Sequence, residues 1–494
     1  MRKPRPEGNS VFAKFSASAG RGRSTARRIA AVTAVTGLVA TGALTGAGAA
    51  VASEGDQHVN GAVAKLDGLK IHDTALLHYP GDKQPFKMPA GVFELTADGG
   101  GTLKTYCIDL HNPTQDGARY QETPWDQSTL NKNENAGKIL WILQNSFPQV
   151  DNLAELAEKA GAKKLTEKTA AAGTQVAIWR YSDKVEVTAA DEDAEKLADY
   201  LEKEAKNLAE PKASLALAPK AVSGKPGGRI GPVTVTTNAA QAALTLSDDA
   251  DGAGVKLVDA AGKPVTTAAN GAQVFFDVPA GAADGSATLT AQAETPVPIG
   301  RAFTPLVGTS QTMILAGSSR SNAKSIASAT WAKTGPVPAV TAKENCDKGG
   351  VDVTASNKGD SPFTFTLKGT EHTVPAGGSK TVTVPVGEDQ AYDITITGPN
   401  GFKETFKGVL DCKTSTPSPN PNPSSQPTPA SAGGSTGGSD TTGGNTGGSS
   451  SKDNLAATGG SSSTPIIAGV AIALVALGGG AVFFLRKKKA TAAE

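Results

Sequence analysis

Two short runs between residues 90 and 110 alternate apolar and polar positions, Val92–Thr96 and Thr102–Leu110. Asp98-Gly99-Gly100-Gly101 lies between them, so period two plus a glycine turn predicts a β-hairpin. From Asn135 the period changes. Ile139, Leu140, Ile142 and Leu143 gather on one face of a helix ending near Ser146. Further helices are predicted over Asn152–Lys159, Thr166–Ser182 and Ala190–Ala209, with Thr166 and Asp191 as N-caps. Beyond residue 213 alternation returns. Val233–Thr236, Ala243–Leu246 and Val274–Val278 read as strands, and so do Val351–Thr354, Phe363–Leu367, Thr381–Val384 and Tyr392–Ile396. The chain is therefore expected to be multidomain. A mixed α/β domain at 53–210 precedes two β-sandwich, Ig-like domains at 211–335 and 336–412.

The ends of the chain follow other rules. Residues 413–454 are rich in Pro, Ser and Thr, then in Gly and Ser, and read as a tether that buries no core. Residues 1–52 read as a secretory signal peptide: a basic start ending in Arg27-Arg28, an apolar stretch from Ile29 to Leu44, and Ala50-Val51-Ala52 as a cleavage pattern. Near the C-terminus stand Leu455, Ala456, Ala457, Thr458 and Gly459. An uncharged Pro465–Leu485 follows, long enough to span a bilayer, and then Arg486-Lys487-Lys488-Lys489. A plain single-pass anchor is one reading. The ordered set at 455–494 resembles the cell-wall sorting signal of Gram-positive surface proteins, in an L-A-x-T-G form that looks actinobacterial. That resemblance implies cleavage by a sortase between Thr458 and Gly459, and joining of Thr458 to peptidoglycan at the cell surface.

Composition narrows the function classes. The 494 residues suffice for about three domains. Aromatics are only 5%, with 57 Gly and 30 Pro, which fits small β-domains and linkers better than a large α/β enzyme with a deep aromatic pocket. Without residues 1–52 and 459–494 the formal charge moves from +1 to about −9, and an acidic mature chain argues against nucleic acid as a partner. The three cysteines leave one over after any pairing. Cys346 and Cys412 bracket the last β-domain and are the natural disulfide in an exported protein. Cys107 remains.

Along the strand predicted at 102–110, Thr105, Cys107 and Asp109 share one face, while Tyr106, Ile108 and Leu110 share the other. On the helix at 166–182, Gln175 is flanked by Ala171, Ala172, Ile178 and Trp179, an apolar face of small residues, with Gly173 beside it. A buried primary amide without partners costs roughly 1–3 kcal/mol. Singly, Cys107 reads as an inert buried thiol and Gln175 as a satisfied core amide. Together they permit a thioester: thiolate sulfur attacks the glutamine carbonyl and ammonia leaves. Such a bond needs walls that exclude water, for which Tyr106, Trp125 and Trp179 are candidates.

Tyr106-Cys107-Ile108-Asp109 and Thr174-Gln175-Val176-Ala177-Ile178-Trp179 resemble the two signature motifs of thioester domains in Gram-positive surface adhesins. Glu122-Thr123-Pro124-Trp125 looks like a further piece of the pattern. The resemblance covers about residues 58–210. It implies a Cys107–Gln175 thioester that captures nucleophiles, such as a protein lysine or a polysaccharide amine, with Tyr106, Asp109, Thr174 and Trp179 as neighbours. It implies one covalent event and no turnover. Two other classes stay open: a wall-anchored cysteine hydrolase or transglutaminase pairing Cys107 with a histidine such as His111, and a passive surface spacer. His58, His72, His78 and His372 show no metal spacing, and no cofactor is expected.

Overall fold

The computed structural model describes residues 60–414. The first long strand, β1 (Asn60–Leu77), was not among the predicted elements. It pairs antiparallel with β2 (Phe86–Ala97) from Ala64↔Ala97 to Leu77↔Phe86, and β2 pairs with β3 (Thr102–Cys107) across the glycine turn. The other edge of β3 is filled from far along the chain. Met313–Ser318 lies against it, with Met313 opposite Cys107. That strand pairs with Ala302–Pro305, which pairs with β4 (Arg119–Thr123), and β4 returns to β1 at Val63–Lys65. Six strands thus close on themselves as an antiparallel barrel, which leaves no exposed sheet edge beside Cys107.

The helices are α1 (Ala136–Gln144), α2 (Leu153–Ala160), α3 (Glu167–Ser182) and α4 (Glu192–Glu204), with the short β5 (Val187–Ala189) before α4. Asn152, Thr166 and Asp191 cap α2, α3 and α4 through their side chains. At α3 the cap is reciprocal, because Thr169 also accepts from the Thr166 backbone. Every residue from Ala170 to Trp179 is buried, since α3 packs on β1 and β2 with α1 and α4 at its sides. Helix α4 ends at Glu204, five residues short of the expected Ala209. Residues beyond it pass the start of α1, where Asn207 donates to the Glu134 carbonyl, and Pro211 restrains Glu210 from helical angles.

Residues 214–296 and 320–331 build a β-sandwich. One sheet contains Ala242–Leu246, Gly285–Pro296 and Arg320–Trp331; the other contains Leu215–Ala218, Arg229–Thr237 and Gln273–Asp277. Val233, Val235, Leu244, Phe276 and Leu289 fill the space between them. Residues 297–318 belong instead to the barrel. The linear order expected from the sequence, 53–210 then 211–335, is therefore crossed by strand pairing: residues 214–296 are an insertion in the first domain, and the sandwich is completed by 320–331 only after the barrel has closed. Buried Glu122 clamps both ends of the insertion. It accepts from Ala62 N, from Ser214 N (2.9 Å) and its hydroxyl, and from Arg301 Nε (2.9 Å). Arg301 also pairs with Glu210.

Residues 338–412 form the last sandwich, from a three-stranded sheet (Pro338–Asn345, Gly350–Asn357, Ser379–Pro385) and a four-stranded one (Phe363–Leu367, Thr370–Val374, Gln390–Thr397, Lys403–Leu410). Val353, Phe363, Phe365, Ile394 and Ile396 lie in its core, and Cys346 is bonded to Cys412. Among the described residues no helix is long and apolar enough to cross a membrane. The predicted signal peptide, the tether beyond residue 414 and the sorting signal, including Leu455–Gly459 and Pro465–Leu485, lie outside the described residues.

Candidate functional site

Cys107 is the last residue of β3 and Gln175 sits midway along α3, and neither has any exposed surface. The register of β3 on β2 and the packing of α3 on the same sheet bring them together. The Cys107 N–H donates to Gln175 Oε1 at 3.0 Å, and Gln175 Nε2 donates to the Cys107 carbonyl at 2.8 Å. Both ends of the side-chain amide are held by the backbone of one residue, whose own side chain is the thiol. This answers the question raised by a polar side chain on a small-residue face. Gly173 adds room of a different kind: a Cβ there would lie 2.4 Å from the Ala194 carbonyl oxygen, so it is α4 that approaches closely.

The surroundings of the thiol are dry but not apolar. Thr105, Tyr106, Ile108, Asp109 and Leu110 are all buried, so neither face of the strand meets solvent. The Asp109 N–H reaches Cys107 Sγ at 3.3 Å. The Trp179 indole N–H has no nitrogen or oxygen acceptor, and its bearing on the thiol is favourable to negative charge at sulfur. Burial, then the charges of Asp183 and Asp109, nevertheless push the Cys107 thiol well up. Asp183 caps α3 at its C-terminal end and accepts the Leu110 N–H at 2.8 Å, tying the exit of β3 to the helix that carries Gln175. Burial raises its own carboxyl to about 6. It is a site residue that the sequence reading missed, although its place one residue beyond a predicted helix was visible.

Tyr106 and Thr174 form a second layer. The Tyr106 hydroxyl donates to the Phe147 carbonyl at 2.7 Å and lies within reach of Thr174. Thr174 donates to the Ala170 carbonyl and meets Ser146 at 2.6 Å. Asp109 accepts from Asn112 Nδ2 at 2.6 Å. His111 is half-buried, its Nε2 has no hydrogen-bond partner, and burial lowers its pKa. Trp125 donates to the Gly300 carbonyl near the ends of the insertion, and Glu122 serves the clamp there. The E-T-P-W segment therefore supports the barrel and leaves the reacting atoms alone.

The arrangement suits acyl transfer inside the protein. A tetrahedral intermediate at Gln175 Cδ would place its oxyanion on the Cys107 N–H, and the leaving nitrogen already points at a carbonyl. A pocket that penalises thiolate also penalises a carboxylate at position 175, so burial beside Asp109 and Asp183 opposes hydrolysis of a neutral thioester.

Residues 104–207 match the family model for the Thioester domain, a stretch that includes both Cys107 and Gln175. Residues 338–409, the last sandwich, match the C-terminal domain of bacterial phospholipase C. Among solved structures the chain is similar to the Bacillus anthracis TIE protein at 14% identity, over 72% of this chain and 81% of that one, with a TM-score of 0.25. It is also similar to the thioester domain of the Enterococcus faecium TIE86 protein at 17% identity, over 55% and 97%, with a TM-score of 0.26. The E. coli chaperone DraB follows at 11% identity, over 40% and 97%, with a TM-score of 0.13. No curated protein matches.

Proposed function

We propose that this chain is a surface-displayed protein that binds its target covalently through a thioester between Cys107 Sγ and Gln175 Cδ. The observation that carries the reading is the reciprocal hydrogen bonding of the Gln175 amide to the backbone of Cys107. In the forming step the Cys107 sulfur attacks Cδ, the S–C bond replaces the C–N bond, and the thiol proton leaves with the nitrogen as ammonia. In the capture step a target amine attacks the same carbon, an amide forms, and the sulfur takes a proton and returns to a thiol. Each molecule acts once, so the protein is a covalent binder and not an enzyme. The target class is a protein lysine or a polysaccharide amine. The sorting signal at 455–494 supports secretion, sortase cleavage after Thr458 and attachment to peptidoglycan.

Intact mass tests the bond. Freshly purified protein should be lighter than its sequence by about 17 Da, beyond the ~2 Da of the disulfide. Cys107→Ala and Gln175→Ala should each abolish that deficit. Methylamine should modify Gln175 and free the Cys107 thiol together. Full sequence mass after the disulfide correction, with an intact Gln175 amide and an alkylatable Cys107, would overturn the reading.

A further inference from the structure

We infer that the last β-sandwich, residues 338–412, is a lid over the Cys107–Gln175 site, and that a nucleophile reaches the site only when this domain swings away. The inference rests on the thioester reading for its purpose, though not for its test. It begins from a conflict. A bond meant for an outside amine lies between two residues without exposed surface. Something covering them must move, and the barrel cannot part without breaking its ring of strands.

The lid touches the rim of the site through Asp411 and Asp389. Asp411 accepts a hydrogen bond from the Thr312 hydroxyl. Thr312 is one residue before Met313, the strand partner of Cys107, and its carbonyl accepts the Ile108 N–H at 3.0 Å. Asp389 accepts from Asn112, whose amide also holds Asp109, the residue whose N–H touches the sulfur. Glu388 fastens this corner of the lid internally by accepting from Cys412 N and Lys413 N, next to the disulfide.

The seam is built to open. Barrel and lid have separate apolar cores. What joins them elsewhere is exposed: Asp126 with Lys343, and Lys132 with Asp347, with side chains more than half accessible. Surface pairs of this kind hold weakly. At the rim, Asp411 has one buried oxygen without a hydrogen-bond partner, and burial, then the neighbouring Asp109, Asp389 and Glu388, push its carboxyl well up. The chain joins sandwich and lid through the irregular segment 332–337, of which Gly335 and Val337 are bonded into the lid, so the hinge falls at 332–334 and its swing gives up Lys225–Asp360 and the Thr330 hydroxyl's bond to the Pro338 carbonyl. Swinging on it leaves both cores packed.

The test reads access to Cys107 directly. In a full-length Gln175→Ala chain Cys107 is a thiol whether or not the wild type forms a thioester, and the other two cysteines are bonded to each other. Its alkylation by N-ethylmaleimide should be slow. Adding Thr312→Val and Asp389→Gly, which remove both rim contacts while glycine suits the positive φ of residue 389, should speed it at least about tenfold with the far-ultraviolet spectrum unchanged. Methylamine capture by the same double variant with Gln175 intact should quicken by a similar factor. Equal alkylation rates with and without the rim substitutions would overturn the lid. A second measurement needs no rim variant: below the unfolding transition, the alkylation rate should rise with urea far less steeply than global unfolding does. A slope equal to the global one would also overturn it. A missing 17 Da deficit would remove the thioester reading and leave these alkylation outcomes decisive for the lid.

Discussion

Gly173 shows how one residue can carry opposite messages. By helix propensity alone, Gly173→Ala should stabilise α3 by ~1 kcal/mol. The contact with the Ala194 carbonyl reverses the sign, since the new methyl would have to push α4 away along backbone. We expect Gly173→Ala to destabilise the protein by roughly 1–3 kcal/mol, read from urea midpoints. A gain in stability would show that α4 shifts freely. Gln175 was legible in the sequence because an amide on an alanine-rich helix face demands a partner. Which atoms answer it was not legible, because the partner lies 68 residues away on a different element.

Helices were the readable elements, since their caps and periods are local; Thr166 and Asp191 cap where the sequence placed them, while Asn152, read as helical, is the cap of α2. The strand β1 was not readable. Its register shifts between Leu66 and Gly68 and again between Leu69 and Ile71, and each shift breaks the two-residue period. The C-terminal end of α3 offers a pH test. Burial raises Asp183 from near 4 to about 6. The folded state therefore binds this proton more tightly than the unfolded one, and its contribution falls as pH rises between those values, then stays level. Asp183→Asn keeps an acceptor for the Leu110 N–H and removes the titration. The variant should gain stability relative to wild type between about pH 4 and about pH 6, by up to roughly 3 kcal/mol, in paired urea melts. A constant difference across that range would count against a half-buried Asp183 whose carboxyl is raised in the folded state.

At the scale of the molecule, the sequence revealed a mixed α/β region, two β-rich regions and the Cys346–Cys412 staple. It did not reveal that the first two interleave along the chain. Met313–Ser318 is buried at nearly every position, so it lacks the alternation that marks a half-exposed strand, and nothing local says that it pairs with residues two hundred positions earlier. The Glu122–Arg301 pair closes that interleaving. Glu122→Ala would leave a buried guanidinium with fewer partners and free both ends of the insertion. We expect a loss of about 3–5 kcal/mol in chemical denaturation, with a smaller loss for Glu122→Gln, which keeps hydrogen-bonding capacity.

The returning hairpin also sets an order in time. Synthesis runs from the N-terminus, so Cys107 and Gln175 both exist while the strands at 302–318 have yet to be made. Until then β3 and β4 each lack a neighbour, and the pocket has no wall on the side of Met313. The proposed thioester has no closed pocket until the insertion has been traversed and the barrel has shut. A chain stopped at residue 210 holds both reacting residues and every recognisable motif around them, yet it lacks one third of the barrel's strands. On the proposed reading, the long detour would delay an unstable acyl bond until there is a dry place to keep it.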